Sequence, residues 1–117
     1  MEIDKETQNK IQEMQITEQN LQIILMQKQA FQAEINEVEA ALEEVKSSGE
    51  EIYRVVGQIM IKSKKNEITK ELENKKNLLD LRMKSVNKQE ELLEKKFAEI
   101  KNEVEKSMKK RKEKTSG

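Results

Sequence analysis

The sequence predicts an all-α-dominated fold, in which two long helices form an antiparallel coiled-coil hairpin with a small β-hairpin at the turn end. Two heptad seams, one on each side of the middle of the chain, predict the helices. Between them, Ile52 to Lys62 (IYRVVGQIMIK) has the composition of β-strand. Charged residues make up 39% of the chain and aromatic residues 3%, which is typical of a coiled coil in a single domain, residues 1–117.

The first helix is predicted over residues 4–47. Asp4 is a suitable N-cap, and Ser47, Ser48 and Gly49 favour a stop. The seam of this helix alternates spacings of three and four residues, and eight of its ten positions are apolar. The seam residues are Met14, Thr17, Leu21, Ile24, Lys28, Phe31, Ile35, Val38, Leu42 and Val45.

A β-hairpin is predicted over residues 51–63. Gly57 followed by Gln58 suits a two-residue turn whose first central residue needs positive φ, and this turn pairs Val56 with Ile59. Apolar side chains then lie on both faces of a sheet with two open edges, which is marginal alone and favours pairing with other strands. We expect the hairpin to join those of other subunits in a closed sheet; the alternative is a connector folded back on its own helices. The predicted interface residues are Ile52, Tyr53, Val55, Val56, Ile59, Met60 and Ile61.

The second helix is predicted over residues 66–112, with Asn66 as its cap and a disordered tail at 113–117. Its seam has the same spacing, again with eight apolar positions in ten. Leu78 and Leu81 lie beside the seam, and we expect them to pack against the β unit. The seam residues are Leu72, Lys76, Leu79, Met83, Val86, Glu90, Leu93, Phe97, Ile100 and Val104.

Opposite charge on the two arms favours pairing within one chain. Residues 1–47 hold 4 Lys against 10 acidic residues, whereas residues 66–117 hold 15 basic residues against 11 acidic ones. The first arm therefore attracts the second and repels its own copy, a preference that salt weakens. Parallel pairing between chains is the alternative.

The composition gives little support to catalysis. The chain has no His and no Cys, so it lacks the usual thiol nucleophile and imidazole base, and we expect no enzyme activity, no metal and no cofactor. No apolar run approaches the ~20 residues of a membrane span, and no secretion signal opens the sequence, so a cytoplasmic location without membrane contact is expected. The basic tail at 109–114 could attract phosphates, but a solvated helix end is the better explanation, so we expect no nucleic-acid partner.

Three further segments of the sequence are distinctive: Tyr53 to Lys62 (YRVVGQIMIK), Gln27-Lys28-Gln29 in the first helix and Lys88-Gln89-Glu90-Glu91 in the second. Through these segments the whole chain resembles the β-class subunits of the prefoldin family of hexameric chaperones. The prediction of one β-hairpin rather than two makes the chain similar to the β class of subunits. The resemblance implies an α-class partner subunit, a hexamer of two α with four β built on an oligomeric β-barrel, and non-native client proteins that are passed to a group II chaperonin.

The free ends of the arms are the predicted client-binding site. In an antiparallel hairpin both termini lie at the end remote from the β unit, and the resemblance implies that clients are held there. Flexible Met with scattered Ile and Val suits varied apolar clients. Four other apolar residues beside the first seam, Ile16, Ile23, Leu25 and Met26, are further candidates or single surface hydrophobes. The predicted substrate-binding residues are Ile3, Ile11, Met14, Ile100, Val104 and Met108.

The leading functional hypothesis is an ATP-independent holdase, which binds one client through weak apolar contacts from several arms. The rival hypothesis is a structural coiled-coil adaptor or scaffold that binds specific helical partners.

Overall fold

A computed structural model of the chain describes the backbone of residues 4–116 and the side chains of residues 4–110. Its elements follow in the order α1 (Lys5–Ser47), β1 (Glu51–Val56), β2 (Ile59–Lys64) and α2 (Lys65–Ser116). The chain forms two compact units. The terminal unit combines residues 1–27 with 86–117, and the central unit comprises residues 28–85.

The start of α1 is capped as the sequence predicts. The backbone N–H of Thr7 donates to Oδ1 of Asp4 at 2.6 Å, and the N–H of Gln8 donates to the Asp4 carbonyl at 3.0 Å. The first bond satisfies an N–H that has no backbone partner in a first helical turn, and the second is the first regular hydrogen bond of the helix. Glu6 adds a negative charge where the helix dipole is positive.

Carbonyl groups at the end of α1 accept hydrogen bonds from a hydroxyl group and from a lysine of the next helix. The Ser48 hydroxyl donates to the Val45 carbonyl at 2.8 Å. The Lys65 ammonium donates to the Ser48 carbonyl at 2.9 Å and lies 3.5 Å from the Lys46 carbonyl. A cation suits the negative end of the helix dipole. Lys65 therefore joins the first residue of α2 to the last turn of α1.

The β-hairpin has the predicted register. Val56 pairs with Ile59 and Tyr53 with Lys62, and the turn between the strands is formed by Gly57 and Gln58. Gly57 has φ +63°, as the first central position of a type II′ turn requires.

The bounds of α2 differ from the prediction at both ends. The helix begins at Lys65, directly after β2, so Asn66 lies inside its first turn and is not the cap. It continues to Ser116, so the predicted end at residue 112 and the disorder assigned to 113–116 are wrong, while Gly117 lies outside the described residues. Neither Pro nor Gly interrupts residues 65–116, and the Lys, Arg and Glu that fill the tail are good helix formers.

The predicted seams form the core of each unit. In the central unit, Ile35, Val38, Leu42 and Leu79 are buried together, with Phe31, Leu72 and Met83 packed against them. In the terminal unit, Ile24, Val86 and Ile100 are buried. The Thr17 hydroxyl is buried too and donates to the Glu13 carbonyl at 2.8 Å, which satisfies a polar group within the seam.

Ion pairs flank the seams and show the antiparallel direction. In the terminal unit, Lys10 pairs with Glu103 at 3.3 Å and Glu13 with Lys96 at 3.6 Å. Residue numbers that rise along α1 thus meet numbers that fall along α2. In the central unit, Lys76 lies 3.6 Å from Glu39.

We expect cysteines introduced at Met14 and Ile100 to crosslink within one chain. Both residues lie on the seam of the terminal unit: Met14 directly follows Glu13, and Ile100 lies between Lys96 and Glu103, the residues of the two ion pairs described above. The chain has no native Cys, so a short bismaleimide can react only at these two sites. Mass spectrometry and denaturing gels should show a crosslinked monomer. A pair at Gln15, which is exposed beside Met14, and Ile100 is the control with low yield. Covalent dimers as the main product would instead indicate parallel coils between chains.

Candidate functional surfaces

The β-hairpin exposes most of its large apolar side chains. Six of those that the structure describes are between 48% and 67% exposed, and Ile52 is half-buried. They lie on both faces of the sheet, since residues alternate between faces along each strand. The six exposed residues are Tyr53, Val55, Val56, Ile59, Met60 and Ile61. All seven predicted interface residues are thus gathered on this one hairpin.

The edges of the hairpin are open as well. Within residues 4–116 the sheet has two strands, so each strand has one edge whose N–H and C=O groups are not paired in a ladder. A two-stranded sheet is marginally stable in water, and long apolar edges pair readily with other strands. The arrangement fits a hairpin that is completed by strands from other chains.

The hairpin is tied to α2 by a charged contact on one face. Nη1 of Arg54 donates to Oε1 of Glu71 at 3.0 Å. Arg54 pairs with Ile61 across the sheet and shares a face with Val56. An exposed pair of this kind contributes less than about 1 kcal/mol. The contact links the face of the sheet that carries Val56 to α2 and adds little stability.

The predicted client-binding residues of the terminal unit differ in accessibility. Ile100 is buried, at 6% exposure, and therefore packs inside the unit. Ile11, Met14 and Val104 are half-buried, and Met108 is exposed. Ile3 lies outside the described residues. Chain pattern alone placed Ile11 beside the seam, but half-burial shows that it shares the interface between the helices.

Three apolar residues form an exposed stripe on α1 opposite its seam. Ile16 and Ile23 are seven residues apart, and Met26 follows three residues later. At about 100° per residue, this spacing places them on one stripe roughly half a turn from the seam. Leu25 is also exposed but lies at the shoulder of the seam. We name Ile16, Ile23 and Met26 the outer α1 patch.

Leu78 and Leu81 are exposed on α2, so the expectation that they pack against the β unit is wrong for the single chain. Both occupy positions of α2 that face away from its seam, where the strands of the same chain do not cover them. Leu92 is exposed in the same way.

A basic cleft of about 400 Å³ lies in the terminal unit. Its lining residues are Lys10, Glu103, Lys106, Ser107, Lys109 and Lys110. No acidic cluster fit to hold a metal ion occurs among the described residues. Neither α1 nor α2, as far as the structure describes them, has a stretch long and apolar enough to cross a membrane.

Comparison with known proteins gives consistent matches over most of the chain. Residues 8–111 match the family model described as "Prefoldin subunit". The prefoldin subunit beta of Archaeoglobus fulgidus is 34% identical over 106 residues, 89% of this chain and 91% of the relative. That of Pyrococcus furiosus is 30% identical over 105 residues, covering 88% and 90% of the two chains. The crystal structure of the prefoldin beta subunit from Thermococcus strain KS-1 superposes with a TM-score of 0.85 at 28% identity, covering 91% of this chain and 95% of that one.

Proposed function

Because this chain belongs to the prefoldin subunit family and has the chaperone role of that family, we propose that it is the β-class subunit of an ATP-independent holdase. Prefoldin subunits are chaperones rather than enzymes. The functional surfaces of this chain are formed by its helices and one small sheet. The proposed complex holds non-native proteins in the cytoplasm and delivers them to a group II chaperonin.

The observation that carries the proposal is the exposed apolar hairpin. Its two faces and two edges leave apolar side chains and backbone groups uncovered in the single chain. We propose that hairpins of an α-class subunit and of other copies of this chain cover them in a closed β-barrel, in a hexamer of two α with four β subunits. Closure removes the open edges, which otherwise favour aggregation.

Assembly places several arms around one client. Each terminal unit would contribute a small apolar area from Ile11, Met14, Val104 and Met108, with Ile100 supporting them from inside. Individually weak contacts add up through avidity, and release of a client needs only their local dissociation.

We expect the wild-type complex, reconstituted with an α-class subunit, to suppress heat-induced aggregation of unrelated client proteins. Replacement of Ile11, Met14, Val104 and Met108 by serine should preserve the hexamer and sharply lower the suppression of aggregation. Apolar burial contributes about 25 cal/mol per Å², and the loss of this burial recurs on every arm. Light scattering of thermally unfolding citrate synthase measures the effect, and circular dichroism checks that the helices persist. Suppression that fails for every unrelated client in the wild type would favour the adaptor hypothesis.

A further inference from the structure

We propose that the outer α1 patch, formed by Ile16, Ile23 and Met26, is a second client-binding site that takes short extended apolar segments of non-native chains. This inference rests on the proposed holdase function and adds to it a site separate from the seam residues at the chain ends. It is carried by three observations: the exposure of the patch, the neutral amides around Ile23 and Met26, and the size of the patch.

The patch is accessible without any movement of the two helices. Ile16, Ile23 and Met26 are 57%, 54% and 68% exposed. The seam of the same helix faces α2, and at this interface Met14 of α1 is half-buried and Ile100 of α2 is buried. A client that binds the patch therefore gains apolar contact without separating the coiled coil, whereas contact with the seam residues competes with core packing.

The rim of the patch consists of neutral amides around Ile23 and Met26, while Glu13, one turn before Ile16, pairs with Lys96 of α2. Residues 19–27 contain no charged side chain, in a chain of which 39% is charged. Gln19 lies within the stripe, and all amide residues of the rim are exposed. Amides donate and accept hydrogen bonds equally, so they can pair with the backbone of any extended segment, and around Ile23 and Met26 no charge has to be desolvated. The flanking amides are Gln15, Gln22, Asn20 and Gln27.

The length and area of the outer α1 patch indicate what kind of chain can bind there. Met26 lies ten positions after Ile16, which is about 15 Å along a helix. An extended chain advances about 3.3 Å per residue, so the patch matches a segment of about five residues. Three side chains offer far less than the roughly 800 Å² per partner of a stable interface. A second copy of the chain would therefore not be held, whereas a client bound by several arms would be.

The test compares two triple variants of the reconstituted complex. One changes Ile16, Ile23 and Met26 to Gln; the control changes Leu78, Leu81 and Leu92 to Gln, which are 49%, 64% and 68% exposed and thus closely matched. Gln keeps helix propensity in both. Reduced, carboxymethylated α-lactalbumin with a fluorescent label is the client, and anisotropy gives its Kd.

We expect the patch variant to bind this client about tenfold more weakly, because the loss is repeated on several arms, and the control to change less than about twofold. A benzophenone on a cysteine at position 23 should also crosslink to the client, and one at position 92 should not. Equal weakening in both variants, no weakening in either, or an altered mass of the patch variant in sedimentation would overturn the inference. A wild-type complex that does not bind the client at all would instead overturn the holdase function on which the inference rests.

Discussion

Replacement of both Val56 and Ile61 by glutamate is expected to abolish assembly and leave a strongly helical chain. Both side chains lie on the same face of the hairpin and are about half exposed in the single chain. In the proposed barrel that face is buried, and a buried unpaired carboxylate costs far more than the face gains from apolar contact. The helices do not depend on this face, since their seams pack against each other. Sedimentation velocity of the chain mixed with an α-class subunit should show small species in place of the proposed hexamer.

The control for this experiment places the same charge where no barrel core is expected. Gln58 is exposed in the turn, so Gln58→Glu should leave the mass of the complex unchanged. A hexamer that persists when both Val56 and Ile61 are replaced by Glu would show that the subunits associate through another surface.

Truncation of Leu79 to Ala is expected to lower the free energy of unfolding by about 2 to 5 kcal/mol, the range for large-to-small changes in a packed core. Leu79 is 2% exposed and lies with Ile35, Val38 and Leu42 in the core of the central unit. Two helices have few neighbouring groups that can move in to fill the cavity. The change should therefore be among the most damaging single substitutions in α2.

Leu81→Ala is the matched control, because Leu81 is two residues away on the same helix and 64% exposed. Its expected cost is within about 0.5 kcal/mol, as for most surface changes. Urea unfolding followed by circular dichroism measures both variants, in the background with Glu at 56 and 61 so that assembly does not add stability by mass action. Similar costs for Leu79 and Leu81 would contradict the assignment of the central core.

The sequence predicts the parts of the fold that depend on periodicity. The heptad spacing of Ile35, Val38 and Leu42 identifies the buried stripe of α1 because side chains seven residues apart return to one face of a helix. Gly57 predicts the hairpin register because positive φ is favourable for Gly and costly for other residues. Both features are local, so one sequence is sufficient to locate them.

The remaining features depend on contacts that periodicity does not encode. The contact of Lys65 with the end of α1 joins residues 17 apart, and a long flexible lysine has many other rotamers that the sequence permits equally. The exposure of Leu78 and Leu81 depends on the path of the hairpin, which their spacing does not specify. The half-burial of Ile11 likewise depends on how the helices rotate about their axes near the chain ends.

The two ion pairs of the terminal unit matter more for the register in which α1 and α2 pair than for the stability that they contribute. An apolar seam that repeats every seven residues is compatible with a slip of seven, since each seam residue then meets another seam position. A slip in one direction would bring Lys10 opposite Lys110 and Glu13 opposite Glu103; a slip in the other would bring Lys10 opposite Lys96. Each exposed pair contributes only about 0.2 to 1 kcal/mol, yet either slip replaces attraction by repulsion. These charges therefore act chiefly against misaligned forms, which an apolar stripe alone cannot distinguish from the native alignment.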